Sequence, residues 1–290
     1  MASKNKHSKP QTDLSKKTNE MIAQTTIDWG RSSEQIWTEL EQKMDTPQAV
    51  KVIILKSWLK TAIAAALVLL AGIAVFMQLY TKNIRIPAGQ HSQVYLPDQS
   101  RVKLNAQSTL SYKPLLWRFS RKVAFEGEAY FEVNPGRKFG VVSGKGSTVV
   151  LGTKFNIYAR NNEYQVTCVS GSVKVSGTLG LSEVILNPGQ KAALGPSGTL
   201  DVQSDVNTAH TLSWLESRFS FTSVPLSGVF EEISRQYGIV IRIPEGLDNK
   251  YTGTFNKDTS VEHTLHLICK PFGLTFARTS NDEYVVKQNQ

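Results

Sequence analysis

Hydrophobic residues are spaced in four ways along this chain, and each spacing predicts a different element. The simplest is an unbroken run, Thr61 to Tyr80 (TAIAAALVLLAGIAVFMQLY), twenty residues without a charge. At about 1.5 Å per residue it covers roughly the 30 Å hydrocarbon core of a bilayer. Its strongly polar members, Thr61 and Gln78, stand near its ends. Lys56 and Lys60 flank one side, Lys82 and Arg85 the other, and Trp58 and Tyr80 take the two interfacial levels. Core helices of soluble domains rarely run this long without a charge, so residues 58–80 read as a membrane span.

Ahead of the span, the spacing is helical. Residues 1 to about 26 are polar and poor in aromatics, a composition that predicts disorder. Ser32 followed by Gln35 then makes a capping-box start, and Ile36, Trp37, Leu40 and Met44 fall on one stripe. A helix of about a dozen residues is marginal alone in water. Its stripe needs a partner, and no other element before the span reads as long enough to serve. A partner-binding helix and a helix lying on the membrane surface are both consistent with it.

Beyond the span the period becomes two. Runs such as SQVYL, RVKLN, RKVAFE, EAYFEV, KFNIYA and YQVTCV extend from Ile84 to about Val206, separated by turn signals at Pro97-Asp98, Gly127, Pro135-Gly136, Asn161-Asn162 and Pro188-Gly189. They predict an all-β domain, 84–206, of roughly a dozen short strands. Spacing alone leaves a sandwich, a barrel and a solenoid-like coil open.

From about 214 to 288 strands and helices alternate. Pro225 opens a helix with the stripe Leu226, Val229, Phe230, Ile233 and Tyr237, closed by Gly238. Thr259 with Glu262 suggests a capping box for a second helix, stopped by Pro271 and Gly273. The order β-α-β, β-α-β-β predicts a small α+β domain with two similar halves.

Composition adjusts this picture in three places. The 290 residues carry a net charge of +9, but Lys and Arg are scattered and partly concentrated beside the span, so nucleic acid is not an expected partner. Lys43, Lys51, Lys56 and Lys60 precede the span and only Lys82 and Arg85 follow closely, which places the amino terminus in the cytoplasm. The 60 or so residues before the apolar run are too long for the basic region of a signal peptide, so a cleaved leader is not expected. Cys168 and Cys269 could form a disulfide, yet both occupy apolar core positions, which favours two free buried thiols.

Candidate chemistry is sparse. Gly144-Lys145-Gly146-Ser147-Thr148 lacks the leading glycine of a phosphate loop and leads into a strand, so it reads as a hairpin turn. Glu126 and Glu128 could pair as in a glycosidase, but Gly127 between them suggests a turn-flanking pair on an edge. His263 and His266 are three apart, where zinc sites on one helix use four, and they read as surface residues. No nucleophile elbow appears. The expectation is a protein that is not an enzyme, with no cofactor and no metal.

Taken together, VYLPDQSRVKLNAQSTLSY, RKVAFEGEAYFEV, KFGVVS, VVLGTKFNIYA, VTCVSGSVKVSG and LNPGQKA resemble the successive motifs of the FecR-type membrane-bound anti-sigma factors. RFSFTSVPLSGVFEEISRQYGIVI is similar to the extra carboxy-terminal domain those proteins carry in Bacteroidetes, which is related to the short N-terminal signalling domain of TonB-dependent receptors and secretins. WGRSSEQIWTELEQKM resembles their short cytoplasmic helix. The resemblance implies a single-pass protein of the bacterial inner membrane with its carboxy-terminal part in the periplasm. It implies a relay from a TonB-dependent outer-membrane receptor to an extracytoplasmic-function sigma factor. Trp29, Ile36, Trp37, Leu40 and Met44 would hold the sigma factor. An intramembrane protease would free the cytoplasmic piece.

Some members cut themselves at a Gly-Thr bond, which is similar to Gly152-Thr153 here. A turn or bulge is the structural alternative at that dipeptide. Two departures stand out: Asp98-Gln99 replaces the usual Asp-Gly, and the cytoplasmic part is shorter than the four-helix domain of many relatives. Apart from the resemblance, a membrane-tethered periplasmic module that binds a ligand such as a glycan is the competing function.

Overall fold

The structure, a computed structural model, describes residues 12–24, 30–44, 57–177, 182–257 and 260–288. Trp29 and Thr259 lie outside the described residues.

The first 64 residues form a unit of their own. Helix α1 spans Thr12–Gln24, where composition had predicted disorder. Its sequence (TDLSKKTNEMIAQ) contains no glycine or proline and enough good helix formers to hold the backbone, so local propensity prevails over polar composition. It is also a second element of adequate length ahead of the span. Helix α2 spans Ser33–Met44. Its capping box forms as the spacing predicts: Gln35 N donates to Ser32 Oγ at 3.2 Å, and Ser32 N donates to Gln35 Oε1 at 3.1 Å.

Helix α3, Ser57–Leu79, is long and apolar enough to cross a membrane, and none of it is buried. Among the described residues it is the one helix with the length and composition of a membrane span.

A β-rich region follows. Its strands are β1 (Lys82–Ile86), β2 (Ser92–Tyr95), β3 (Arg101–Leu104), β4 (Ser108–Tyr112), β5 (Arg121–Glu132), β6 (Phe139–Val142), β7 (Gly146–Val150), β8 (Lys154–Arg160), β9 (Glu163–Ser170), β10 (Val173–Gly177), β11 (Glu183–Leu186), β12 (Lys191–Leu194) and β13 (Leu200–Gln203).

The long strand β5 belongs to two ladders. Its first half lies between β4 and β6, and its second half lies between β3 and β8. One sheet therefore runs β1-β4-β5-β6-β7-β10-β11 and the other β2-β3-β5-β8-β9-β12-β13. The transfer occurs at Gly127, whose φ is +117°. A Cβ there would approach Ser108 Cα to 2.6 Å, so only glycine fits. The inward residues of both sheets merge into one core in which Phe131 stacks on Phe155 at 5.1 Å and meets Phe139 edge-on at 6.3 Å.

The remaining chain begins with a single turn, α4 (Thr208–Thr211). It continues through β14 (Arg218–Pro225), α5 (Leu226–Tyr237), β15 (Val240–Arg242), β16 (Lys250–Asn256), α6 (Val261–Cys269), β17 (Leu274–Ser280) and β18 (Glu283–Gln288). β14 pairs with β16, while β15, β18 and β17 form a second small sheet. Leu226, Val229, Phe230 and Ile233 pack inward, as their helical spacing requires. Gly238, at φ +70°, closes α5.

The cap of α6 differs from expectation. Ser260 takes the N-cap position and accepts from His263 N at 3.1 Å, so the serine next to the expected threonine does the capping. Cys168 and Cys269 are free and buried, and burial pushes each thiol up to about 11.

Candidate functional site

Helix α2 presents its apolar stripe to solvent. Ile36 is 38% exposed, Leu40 45%, Trp37 63% and Met44 70%, and no residue of the helix is buried. Glu39 bridges to Arg31 at 2.7 Å and to Lys43 at 3.4 Å along the polar side. The helix thus brings four of the five expected contact residues onto one exposed surface; Trp29 lies outside the described residues. An exposed stripe of this kind on a capped helix is a ready docking surface for a groove of matching polarity.

Gly152 and Thr153 lie between β7 and β8. A Cβ on Gly152 would reach 2.7 Å from Pro135 Cα, so glycine allows the close approach of that segment. Thr153 is buried, its hydroxyl donates to Ser172 O at 3.0 Å, and its carbonyl accepts from Val133 N at 3.0 Å. The dipeptide thereby ties the β7–β8 junction to the turn before β10.

Glu126 and Glu128 do not flank a turn on an edge. Both lie inside β5, the strand common to both sheets, because Gly127 passes the strand from one sheet to the other without ending it. Glu126 is exposed, whereas the Glu128 carboxyl faces a different cleft, so the two do not converge on one site. Burial, reinforced by the nearby Glu232 carboxylate of α5, pushes Glu128 up to about 7.

Around Glu128 runs a polar seam that no periodicity announces. Asn105 Nδ2 donates to Glu128 Oε2 at 2.8 Å and Asn156 Nδ2 donates to Glu128 Oε1 at 3.0 Å. Gln236 of α5 donates from Nε2 to Asn105 Oδ1 at 2.7 Å and to Glu232 Oε1 at 2.8 Å. Its Oε1 lies 2.8 Å from His91 Nε2, which fits a histidine donating from that nitrogen. Burial lowers the His91 pKa, against the hydrogen bond to Gln236.

Two glycines close the same seam: Gly89 N donates to Arg235 O at 2.9 Å, and a Cβ on Gly89 or on Gly238 would lie 3.3 Å from a facing backbone oxygen. Beside the seam is a cleft of about 600 Å³ whose lining includes Tyr158, Lys191, Trp214, Glu231 and Lys257. The signal that could have marked the seam is slight: Asn156 interrupts the apolar run KFNIYA, and Gln236 adjoins the stripe of α5.

The other sequence candidates have ordinary places. Residues 143–145 form the turn of the β6–β7 hairpin, and His263 and His266 are exposed on α6. Among the described residues, no group of three His, Cys, Asp or Glu side chains could hold a metal ion.

The sequence model of the FecR protein family matches residues 82–174, and that of FecR, C-terminal, matches residues 218–286, together more than half of the chain. The chain belongs to the FecR family.

Two crystal structures of proteins assigned as anti-sigma factors from Parabacteroides distasonis ATCC 8503 are similar to it. The structure at 2.50 Å resolution shares 26% identity and a TM-score of 0.66, and covers 73% of this chain and 100% of its own. The structure at 1.65 Å shares 25% identity and a TM-score of 0.65, covering 72% and 100%. No curated protein matches the chain. In this FecR protein, the seam joins the two matched segments: Asn105, Glu128 and Asn156 lie in the first, Glu232 and Gln236 in the second. FecR membership gives the chain a regulatory role.

Proposed function

We propose that this FecR protein is a transmembrane anti-sigma factor that binds an extracytoplasmic-function sigma factor through α2. The single observation that carries the reading is the exposed stripe Ile36, Trp37, Leu40 and Met44, on a capped helix just ahead of a membrane-length helix. Support comes from the solved relatives, which are assigned as anti-sigma factors.

In this reading the amino terminus is cytoplasmic, in keeping with Lys43, Lys51, Lys56 and Lys60 ahead of the span. The two carboxy-terminal domains then lie in the periplasm of a bacterium, anchored in its inner membrane. They receive the signal from the signalling domain of a loaded TonB-dependent outer-membrane receptor. One helix transmits a subtle conformational change poorly, so proteolysis by an intramembrane protease is the simpler relay.

Self-cleavage at Gly152-Thr153 belongs to the same reading. The Thr153 hydroxyl adds to the Gly152 carbonyl carbon, the C–N bond breaks, and the proton passes to the freed Thr153 amine. Water then hydrolyses the ester to a Gly152 carboxylate and regenerates the hydroxyl. A buried Thr153 whose hydroxyl is already held by Ser172 O supports a fixed geometry for the attack.

The test is co-purification of the full chain from its own cells, with the captured protein identified as a sigma factor by mass spectrometry. Trp37→Ala with Leu40→Ala is expected to lower recovery about tenfold or more, since buried apolar anchors at an interface contribute about 2 kcal/mol or more. Recovery of a sigma factor that is indifferent to both substitutions would falsify the assignment to α2. Recovery of none, together with sugar binding in the 600 Å³ cleft, would replace it with the tethered glycan-binding module.

A further inference from the structure

The β-rich domain presents a charged and apolar face at the point where it leaves the membrane. Helix α3 ends at Leu79 and β1 begins at Lys82, so three Cα steps, at most about 11 Å, join them. Strand register then fixes which loops share that end. Lys82 pairs with Tyr112, Tyr112 with Val123, Arg121 with Phe139, and Phe139 with Val150. The crossover 113–120, the segment 133–138 and Leu151 therefore all emerge beside the end of α3. Lys113 Nζ reaches Gln78 Oε1 of the helix at 3.4 Å.

The chemistry of this end is one-sided. Lys113, Arg118, Lys122, Arg137 and Lys138 are exposed, and neither 113–125 nor 133–162 contains an Asp or Glu. Among these cations stand three apolar side chains directed to solvent: Leu115 is 42% exposed, Leu151 60% and Phe119 76%. They are not loose core residues. Trp117, between Leu115 and Phe119, holds the crossover by packing edge-on against Tyr112 at 5.5 Å and Phe139 at 5.9 Å. Buried Arg121, ion-paired with Asp98, also donates to Arg137 O at 2.7 Å and Asn134 O at 3.0 Å, pinning the second segment. Arg137 in turn donates to Arg118 O, linking the two segments. The platform is thus built from inside, with its outward groups left over.

We propose that this face is a second membrane contact. Leu115, Phe119 and Leu151 enter the interfacial layer of the leaflet from which α3 emerges, and the surrounding cations lie against anionic phospholipid headgroups. Charge complementarity selects the lipid: an anionic bilayer surface attracts basic residues held within a Debye length of it, and apolar side chains add to the binding. The short tether makes that surface the nearest one available. The inference rests on α3 as a membrane span but not on which side the domain faces. Its consequence is a domain held at a fixed tilt, with the seam presented away from the bilayer in one orientation.

The test uses the full chain in vesicles, with Phe119→Cys carrying a polarity-sensitive fluorophore and Val240→Cys, exposed on β15 of the second domain, as comparator. The native thiols are buried and raised to about 11, so a surface cysteine reacts selectively. In phosphatidylcholine vesicles containing phosphatidylglycerol, the label at 119 should emit to the blue and be quenched by a headgroup-proximal nitroxide lipid. The label at 240 should do neither. Lys122→Gln with Arg137→Gln, or phosphatidylcholine alone, should weaken the quenching at 119.

Equal emission and quenching at 119 and 240 would overturn the proposal, and so would quenching at 119 that ignores both lipid charge and the two substitutions. Alkaline carbonate extraction of the same vesicles reports separately on the span: a chain that washes off refutes α3 as a membrane helix, whatever the label shows.

Discussion

Gln236, in the last turn of α5, donates its side-chain amide to Asn105 Oδ1 of the β-rich domain at 2.7 Å. Both residues are almost fully shut from solvent, Asn105 at 0% and Gln236 at 3%. The pair is the centre of the contact between the two matched FecR segments. Each residue has further partners there: Asn105 Nδ2 with Glu128, and Gln236 with Glu232 and His91. A change at either residue leaves buried polar groups unpaired.

Gln236→Ala is therefore expected to destabilise the two-domain unit by about 1–3 kcal/mol, the cost of orphaned buried polar groups. Asn105→Ala should act in the same direction. A double-mutant cycle on the urea midpoint measures their coupling, and simple additivity of the two would count against a shared seam.

Glu128 makes the seam sensitive to pH. Its carboxyl is pushed up to about 7 by burial and by Glu232, against about 4.3 in an unfolded chain. Between those values the folded protein holds a proton that the unfolded chain has released. Stability therefore falls as pH rises through the window and levels off above about 7. His91 works in the opposite sense: burial lowers its pKa, so its contribution is present above about 6.5 and is lost as pH falls. The difference in stability between wild type and Glu128→Gln, followed from about pH 5 to about pH 8, isolates the first effect and should decline up to about pH 7 and level off beyond it. A flat difference curve would show that Glu128 ionises as freely as in the unfolded chain.

Gly127 allows β5 to serve both sheets. Gly127→Ala must place a Cβ 2.6 Å from Ser108 Cα on a backbone at φ +117°. Strain and overpacking together predict a loss of about 3 kcal/mol or more. Thermal unfolding of the purified variant, or its failure to accumulate in soluble form, is the measurement. Gly140→Ala on the neighbouring strand, where a Cβ would meet only Lys122 Cγ at 3.7 Å, is the control and should change little.

Thr153 separates a covalent role from a packing one. Self-cleavage requires its hydroxyl, so wild type and Thr153→Ser should yield two fragments on a denaturing gel, and Thr153→Ala a single full-length band. Loss of the bond to Ser172 O should by itself cost only about 1 kcal/mol, which leaves the alanine variant folded. Two fragments from Thr153→Ala would sink the acyl shift, and so would a single band from wild type.

Much of this protein is local and therefore legible in one dimension. Twenty uncharged residues must find hydrocarbon or a core, and length decides for the membrane. The stripe of α2, the stripe of α5, the alternation inside β5 and the free cysteines follow from periodicities of 3.6 and 2 that any neighbour with an apolar face satisfies. The turn signalled at Pro97-Asp98 forms, and Gln99 takes the left-handed φ of +64° although it is not glycine. Helix α1 was hidden because polar composition and helix propensity point in different directions over the same residues.

Tertiary structure alone decided the rest. Gly127 reads as a turn until the partners of β5 are known, because a glycine that ends a strand and one that transfers it between sheets have the same sequence signature. Glu128 reads as a surface carboxylate until Glu232, more than a hundred residues away, is placed beside it. Gln236 and Asn105 are polar residues at positions of no evident pattern, and their pairing is a property of two separately folded surfaces. The cationic, apolar face at the membrane end is assembled from loops that only strand register brings together. Burial and periodicity are written along the chain, but which polar groups meet depends on long-range register, and a single sequence carries no record of it.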